Sequence, residues 1–263
     1  MVKTKEIRSF NLVLLFLGGL ILLFIIGPLM GMFLSTTPQK LFEVSGEAEV
    51  QRSISLTLWV SMAGTLIFSL GAIPLAYLLA RREFPLKRLV TGIIDLPIVI
   101  PHSAAGIAVL GFISRDTVTG RIGSMIGLDF VGAPAGIALA MAFVSLPYLV
   151  NAARDGFLGV PVRLEQAAMN LGSSPSRVFF TISLPLAWRS IVSGLILMFA
   201  RGMSEFGAVV IVAYHPMIAP VLIWERFGAF GLHAARPVAV LFILISLAFF
   251  ILLRFIARDR KDA

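Results

Sequence analysis

The sequence predicts an all-α integral membrane protein with six transmembrane helices and one further helix on the cytoplasmic side, between the fourth and fifth spans. Three observations lead to this fold class. Hydrophobic residues make up 58% of the 263 positions and charged residues only 14%, which is far from the balance of a soluble domain. Several apolar segments are long enough to cross a bilayer. Basic residues gather in alternate loops, as the positive-inside rule requires.

The predicted spans follow one another along the chain, which we expect to fold as a single transmembrane domain over residues 1–263. A helix needs about 20 apolar residues to cross the hydrocarbon core. The first candidate follows basic residues, as a signal peptide would. It is longer than the apolar region of a signal peptide and no clear small-residue cleavage site follows, so we expect it to be retained. The predicted spans are residues 12–34, 54–80, 89–114, 135–153, 191–213 and 237–257.

The distribution of Lys and Arg predicts the orientation. With the N-terminus inside, 15 of the 22 basic residues lie in inner segments and 6 in outer segments, and Arg201 lies within a span. Cytoplasmic loops carry such an excess. We therefore expect a multi-pass protein of the cell membrane with both termini in the cytoplasm, together with the loop of residues 154–189. The inner set includes Lys3, Lys5, Arg8, Arg258, Arg260 and Lys261.

The cytoplasmic loop carries the most informative local pattern. Leu164, Ala167, Ala168 and Leu171 are spaced i, i+3, i+4 and i+7, which predicts one face of a short helix. A membrane protein that presents a compact helix with a small-residue face offers a docking surface to a partner protein. The alternative is an amphipathic helix lying on the lipid surface.

Residues around this helix predict its ends. Pro161 suits its first turn and Gly172 suits a left-handed exit. Ser174 and Pro175 then predict the N-cap and the first residue of a second helix, which would brace the first against the membrane domain. Capping at both ends favours docking to a protein over binding to lipid.

The loop resembles the EAA motif of the permease subunits of ABC importers, in which Glu-Ala-Ala is followed by three residues, Gly, nine residues and Ile-x-Leu-Pro. Six positions of the motif are filled with the correct spacing, by Ala167, Ala168, Gly172, Ile182, Leu184 and Pro185. The Glu position departs from the pattern, because Gln166 occupies it and Glu165 comes one residue earlier. The departure matters if that acid makes a required ion pair with an ATPase. The resemblance covers nearly the whole chain and implies a type I ABC importer transmembrane domain.

Within this superfamily the chain is similar to permeases for molybdate and tungstate. The local strings behind that similarity are DLPIVIPH at 95–102, AGI at 105–107, RGMSEFGA at 201–208 and MIAP at 217–220. Permeases for sulfate and, more distantly, for phosphate, polyamines and iron share the architecture and part of the proline pattern. The resemblance implies import of an oxyanion, with molybdate or tungstate expected and sulfate as the alternative.

The resemblance also implies partners. These are a second copy of this subunit in a homodimer, two ABC ATPase subunits that hold ATP and Mg²⁺ on the cytoplasmic side, and a substrate-binding protein outside. Closure of the ATPase subunits would move the short helices and rock the spans between inward-open and outward-open arrangements. We expect no cofactor and no nucleic acid on this chain. The residues expected at or beside the ATPase contact are Leu164, Glu165, Gln166, Ala167, Ala168, Leu171, Gly172, Ser174, Pro175 and Arg177.

Two opposite charges lie four residues apart, near the middle of the predicted fifth span. Arg201 and Glu205 would each cost about 2.5–3.5 kcal/mol if they faced lipid, so we expect them to point into the bundle. They either border the path of the oxyanion, with Ser204 beside them, or form a buried ion pair that fixes the packing. A bare cation in the path would hold a dianion too tightly, which favours neutralisation of Arg201.

The predicted third span contains polar residues and two prolines. Asp95 precedes Pro97 and Pro101, which free backbone carbonyls and kink the helix. The kink could shape a central cavity or a gate, or be plain helix geometry. His102 follows the kink, and a lone histidine there is more often part of the hydrogen-bonded structure than a ligand. No spacing of His, Asp or Glu predicts a metal site.

Motifs of several other function classes are missing. There is no Walker A pattern, so we expect ATP to be bound elsewhere, and there is no nucleophile elbow and no His-Glu-x-x-His. The absence of cysteine excludes disulfides and thiolate metal sites. The net charge of +8 is scattered, without a basic patch interleaved with aromatic residues, which argues against nucleic acid. We expect a transport subunit rather than an enzyme.

Two hypotheses from other classes remain. An ion- or proton-coupled secondary transporter would use Asp95, Arg201 and Glu205, and an intramembrane enzyme would use His102 and a carboxylate. An importer subunit should co-purify with an ATPase bound through the loop around Gly172. Uptake that persists without that ATPase but collapses with the proton gradient would favour the secondary transporter.

Overall fold

The computed structural model of the chain describes the backbone of residues 2–258 and the side chains of residues 10–255. All regular structure within residues 2–258 is helical, which confirms the all-α fold class. Some of the basic residues used for the predicted orientation lie outside the described side chains, namely Lys3, Lys5, Arg8, Arg258, Arg260 and Lys261.

The described backbone forms thirteen α-helices and one π-helical segment. In chain order the α-helices are α1 (Val2–Leu34), α2 (Pro38–Gly46), α3 (Ala48–Arg81), α4 (Lys87–Val99), α5 (His102–Ile113), α6 (Val118–Met125), α7 (Pro134–Leu158), α8 (Val162–Asn170), α9 (Pro175–Val178), α10 (Leu184–Met203), α11 (Gly207–Val212), α12 (Ala219–Phe230) and α13 (Leu232–Arg258). The π-helical segment Phe179–Ser183 joins α9 to α10 without a break.

Five continuous helices of the described chain are long and apolar enough to cross a membrane. They are α1, α3, α7, the run from α9 to α10, and α13. A sixth crossing is available if α4 and α5 together form one span, although the chain bends by 115° between the two helices. The six predicted spans therefore correspond to five continuous helices and one broken pair.

The predicted third span, residues 89–114, is not a continuous helix. Between Val99 and His102 the backbone of Ile100 and Pro101 is extended, with ψ of 148° and 136°. Proline has no N–H to donate and disfavours helical backbone at the residue before it. The chain therefore turns by 115° at this point, which is far more than the kink that the sequence predicts.

The predicted fifth span, residues 191–213, is displaced along the chain. Its helix begins at Pro175 and ends at Met203, and the short α11 follows after a turn. Apolar length alone places the start too late, because Arg177 and Arg189 interrupt the hydrophobic run without interrupting the helix. The helix thus begins directly beside α8.

Other predicted boundaries change for a related reason. The loop predicted at residues 154–189 shrinks to 159–174, because α7 continues to Leu158 and the next helix starts at Pro175. The second span begins at Ala48 and the sixth at Leu232. Polar residues lengthen these helices beyond their apolar stretches, and a hydropathy pattern does not detect such extensions.

The centre of the bundle is built from α3, α7 and α10. Small residues let these helices approach closely. A Cβ added at Gly64 in α3 would lie 3.2 Å from the carbonyl oxygen of Ala138 in α7. One added at Gly194 in α10 would lie 2.9 Å from the Cβ of Ala152. One end of this three-helix core carries α8, and α5 and α11 pack against its other half.

Candidate functional site

Helix α8 is short, and the turn after it closes its C-terminal end with backbone hydrogen bonds. The turn after it is a Schellman motif, in which Ser173 N–H donates to the carbonyl oxygen of Ala168 at 3.0 Å and Gly172 N–H donates to that of Met169 at 2.9 Å. Gly172 has a φ of +88°, which a side chain would strain. The predicted left-handed exit is therefore present. Pro161 stands at the N-cap, one position before the predicted first turn.

One face of α8 points away from the bundle and is apolar. Leu164 and Ala167 are exposed, and Leu171, in the turn after the helix, is 88% exposed. Ala168 is only partly exposed, because it lies three residues after the buried Glu165 and shares its face. The exposed apolar side chains are available to a partner surface.

The opposite face of α8 is fastened to the bundle through Glu165. Arg81, the last residue of α3, donates from Nη2 and Nε to Glu165 Oε1 at 2.8 and 2.9 Å. Ser183 Oγ donates to the same oxygen at 2.7 Å, and Tyr77 donates to Oε2 at 3.4 Å. Gln166, at the Glu position of the motif, is exposed. Glu165 thus faces the interior of the protein, so its side chain is not among those that α8 exposes.

The charge of Glu165 is well compensated. Burial alone raises the pKa of its carboxyl, but the hydrogen bonds from Arg81, Ser183 and Tyr77 and the charge of Arg81 outweigh burial, and the pKa is lowered overall. Arg81 Nη2 also donates to the backbone carbonyl oxygen of Val160 at 3.0 Å. The ions therefore have the additional hydrogen bonds that a buried pair requires.

Sequence reasoning missed the partners of Glu165. The positive-inside pattern treats Arg81 as one of several loop cations, and gives no sign that its side chain turns back into the protein. Ser183 is the unspecified residue of Ile-x-Leu-Pro. It is held in the π-helical segment, two residues before Pro185, whose missing N–H weakens the α-helical pattern there. The only local feature that marks Arg81 is its position as the first of two cations that end a long apolar run.

The second predicted helix begins where expected, but it does not end within the loop. Ser174 Oγ accepts from the N–H of Arg177 at 3.3 Å, and Pro175 takes the first helical position. The helix then continues to Met203, so it is the base of the fifth span rather than a separate brace. The side chain of Arg177 is exposed beside the exit of α8.

Three side chains meet near the other end of this helix. Arg201 Nη2 lies 2.9 Å from Glu205 Oε2, and His102 Nδ1 lies 2.7 Å from the same oxygen. Arg201 Nη2 is also 2.9 Å from both ring nitrogens of His102, so it stands over the ring rather than in line with either nitrogen. The Glu205 side chain is 1% exposed and that of His102 is 40% exposed. The carboxylate is therefore innermost, covered by the guanidinium and the imidazole.

This cluster joins two interrupted helices. The long helix stops at Met203, so Arg201 and Glu205 lie at its end and just beyond it, rather than near the middle of a span as predicted. Glu205 Oε1 accepts from the N–H of Ala208 at 2.8 Å and so caps α11. His102 is the first residue of α5, directly after the bend in the third span. The cluster thus connects the bend in the third span with the break before α11.

The remaining candidates of the third span do not join the cluster. Asp95 Oδ1 accepts from Asn151 Nδ2 at 2.6 Å, a bond that ties α4 to α7. Pro97 is buried within α4, and Pro101 is exposed at the bend. These residues shape the broken helix and link it to the core.

The cluster balances charge without presenting a bare cation. Glu205 neutralises the guanidinium of Arg201, and Ser204 Oγ lies 3.5 Å from its Nη1 on the exposed side. Part of the His102 ring also remains exposed. Within the described residues, no three His, Asp or Glu side chains are placed to hold a metal ion.

Comparison with known families places this geometry in context. The family described as "Binding-protein-dependent transport system inner membrane component" matches residues 72–262. A molybdate/tungstate transport system permease protein of Methanocaldococcus jannaschii is 42% identical, covering 92% of this chain and 94% of that protein. One of Thermococcus kodakarensis is 41% identical, covering 94% and 95%. A probable sulfate transport system permease protein of Chlorokybus atmophyticus is 32% identical, covering 81% and 78%.

Solved structures share the fold. A bacterial ABC transporter involved in the import of the acidic polysaccharide alginate has a chain with a TM-score of 0.75 and 18% identity, covering 97% of both chains. A chain of the MetNI methionine ABC transporter in an inward-facing conformation has a TM-score of 0.60 and 17% identity, covering 80% of this chain and 93% of that chain. At these identities the likeness concerns the fold alone.

Proposed function

The chain belongs to the family of binding-protein-dependent transport system inner membrane components, and from this premise we propose that it is the membrane-spanning permease subunit of an ATP-driven importer of molybdate and tungstate. The observation that carries the importer assignment is α8. It is closed at its C-terminal end by a hydrogen-bonded turn, exposed on an apolar face and anchored on the other, and it stands between two membrane-spanning helices. The substrate follows from the names of relatives that are more than 40% identical over more than nine-tenths of the chain.

The proposed source of energy for transport is a pair of ABC ATPase subunits on the cytoplasmic side, which bind ATP and Mg²⁺. Leu164 and Leu171 supply the apolar contact with the ATPase, and Gln166 and Arg177 supply polar contacts at its rim. In this orientation both termini lie in the cytoplasm. Closure of the ATPase subunits pushes on α8 and thereby rotates the spans between two arrangements.

The proposed assembly contains two copies of this chain and a substrate-binding protein on the outer side. One of the solved structures with the same fold is described as an alginate transporter in complex with a substrate-bound periplasmic protein, which supports this kind of partner. The pathway runs between the two copies. We place the exposed sides of His102, Arg201 and Ser204 along it, with Glu205 limiting how tightly a dianion is held.

Reconstitution tests the importer proposal. Proteoliposomes that contain this chain, its ABC ATPase and its binding protein should take up molybdate and tungstate only with ATP. Leu171→Asp should release the ATPase during purification, because it puts a charge on the exposed apolar contact. Met125→Asp, which is equally exposed but lies on α6, should not. Uptake that needs no ATPase and collapses with the proton gradient would overturn the proposal in favour of a secondary transporter.

Sulfate is the second candidate substrate, because a relative named for sulfate transport is 32% identical over 81% of the chain. Titration calorimetry of the binding protein with molybdate, tungstate and sulfate separates the two candidates. Tighter binding of sulfate than of both metal oxyanions would reassign the substrate and leave the importer mechanism in place.

A further inference from the structure

We propose that Arg81 is a positioning residue that transmits the movement of α8 to the core of the bundle. This inference rests on the proposed importer function and deepens it. It identifies the joint between the docking helix and the membrane domain as the set of contacts around the Arg81–Glu165 ion pair, here called the α8 joint. Beyond those two residues, the α8 joint contains Tyr77, Val160 and Ser183.

The α8 joint connects four parts of the chain at one point. Arg81 comes from the end of α3, and Val160 comes from the turn after α7. Glu165 belongs to α8, and Ser183 belongs to the π-helical base of the fifth span. A displacement of α8 therefore reaches the second, fourth and fifth spans together, without depending on the turns at either end of the helix.

The ion pair is suited to carry this displacement. Its side chains are only 9% and 6% exposed, and Arg81 makes a forked contact with both carboxylate oxygens, from Nη2 to Oε1 at 2.8 Å and from Nε to Oε2 at 3.0 Å. Forked Arg–carboxylate pairs fix direction as well as distance. An exposed pair such as Lys87–Glu83, in the nearby turn, is instead screened and contributes little.

Aromatic packing stiffens the joint on its inner side. The ring of Tyr77 packs edge-on against Phe157 of α7 at 5.2 Å and against Phe179 at 4.9 Å, measured between ring centroids. The guanidinium carbon of Arg81 lies 5.9 Å from the centroid of the Tyr77 ring. Removing the charge of Arg81 would leave this aromatic packing in place, so the loss would fall mainly on the ion pair.

The test is the ratio of molybdate imported to ATP hydrolysed, measured in proteoliposomes that contain the whole transporter. Arg81→Gln should keep ATP hydrolysis and lower this ratio by about 2- to 30-fold, the range over which mutations along coupling networks act. Arg81→Lys should restore part of the ratio, because the charge returns but the fork does not. Arg82→Gln is the matched control, since Arg82 is the next residue and is exposed. It should leave the ratio unchanged.

A structural readout covers the case in which Arg81→Gln assembles poorly. The chain contains no cysteine, so single cysteines introduced in α3 and α8 can carry spin labels. In the wild type the α3–α8 distance should stay constant between nucleotide-free and ATP-bound transporter, and in Arg81→Lys it should broaden. Two results would refute the proposed role of the α8 joint while leaving the importer function intact. One is an unchanged import ratio in Arg81→Gln, and the other is a wild-type α3–α8 distance that changes with ATP. A wild-type transporter that does not import with ATP would overturn both.

Discussion

His102 and Glu205 are 103 positions apart in the chain, yet His102 Nδ1 lies 2.7 Å from Glu205 Oε2. Each residue stands at a break in a helix, His102 after the bend of the third span and Glu205 before α11. Interrupted helices within a membrane protein need polar groups to satisfy their free backbone ends. Glu205 Oε1 supplies such a group to the N–H of Ala208, and the contact of Oε2 with His102 pins the two breaks to each other.

The first prediction concerns the charge pair at these breaks. Glu205→Ala should destabilise the protein by about 3 kcal/mol, because it leaves the guanidinium of Arg201 without its counter-ion. The double variant Arg201→Ala/Glu205→Ala should be less destabilised. Both variants lose the cap on Ala208, so that loss cancels from the comparison. Thermal unfolding in detergent measures the difference.

Exposed charges provide the control for this comparison. Arg115 and Asp129 are 3.6 Å apart with side chains that are mostly exposed, so the same set of variants there should change stability very little. Equal damage from Glu205→Ala and the double variant would mean that Arg201 and Glu205 do not stabilise each other.

The second prediction concerns the contact between α5 and α11. A Cβ added at Gly106 would lie 2.8 Å from the backbone carbonyl oxygen of Ala208, so Gly106→Ala should push the two helices apart. The expected loss of stability is about 1–3 kcal/mol. Gly111→Ala, in the same helix with open space around the added carbon, should be neutral or stabilising by up to about 1 kcal/mol. Similar unfolding temperatures for both variants would contradict the close packing.

The third prediction concerns the exit of α8. Gly172→Val should lower molybdate import per ATP hydrolysed, because a β-branched residue resists the φ of +88° and displaces the docking face. The space around the added carbon is open, so the protein should still fold. Gly127 has a φ of +74° and open space as well, but it follows α6, away from α8. Gly127→Val should therefore import normally, and normal import by Gly172→Val would refute the role of this turn.

The fourth prediction concerns pH. The pKa of Glu165 is lowered in the folded protein, so its ion pair stabilises the fold fully above the ordinary glutamate pKa of 4.5. That stabilisation is lost as the pH falls from 4.5 through the lower folded value. Wild type should therefore unfold at a higher temperature than Glu165→Gln at pH 7, and the difference should shrink below pH 4.5.

A surface carboxylate serves as the comparison for the pH experiment. Glu83 is exposed and pairs with Lys87 in a surface turn, so Glu83→Gln should unfold close to the wild-type temperature throughout. A wild-type advantage over Glu165→Gln that stays constant into strong acid would show that the carboxylate charge does not stabilise the fold.

The fold class and α8 could be predicted because their signals are local. Apolar length predicts the spans, and the spacing of Leu164, Ala167 and Leu171 predicts a short helix with one exposed apolar face. Gly172 and Ser174 mark the turn after it, since left-handed backbone and an N-cap depend on adjacent residues alone. The EAA-like spacing then pointed to the family that the comparisons show.

Tertiary structure alone decided which charges meet. Arg81 and Glu165 are 84 positions apart, and His102 and Glu205 are 103 apart, so no periodicity relates them. The hydropathy pattern also does not give the size of the bend at Ile100 or the unbroken helix from Pro175 to Met203, because it counts polar groups only as interruptions. Hydrophobic spans and caps are marked by residues that are neighbours along the chain, whereas a buried charge is placed by whichever distant segment can neutralise it.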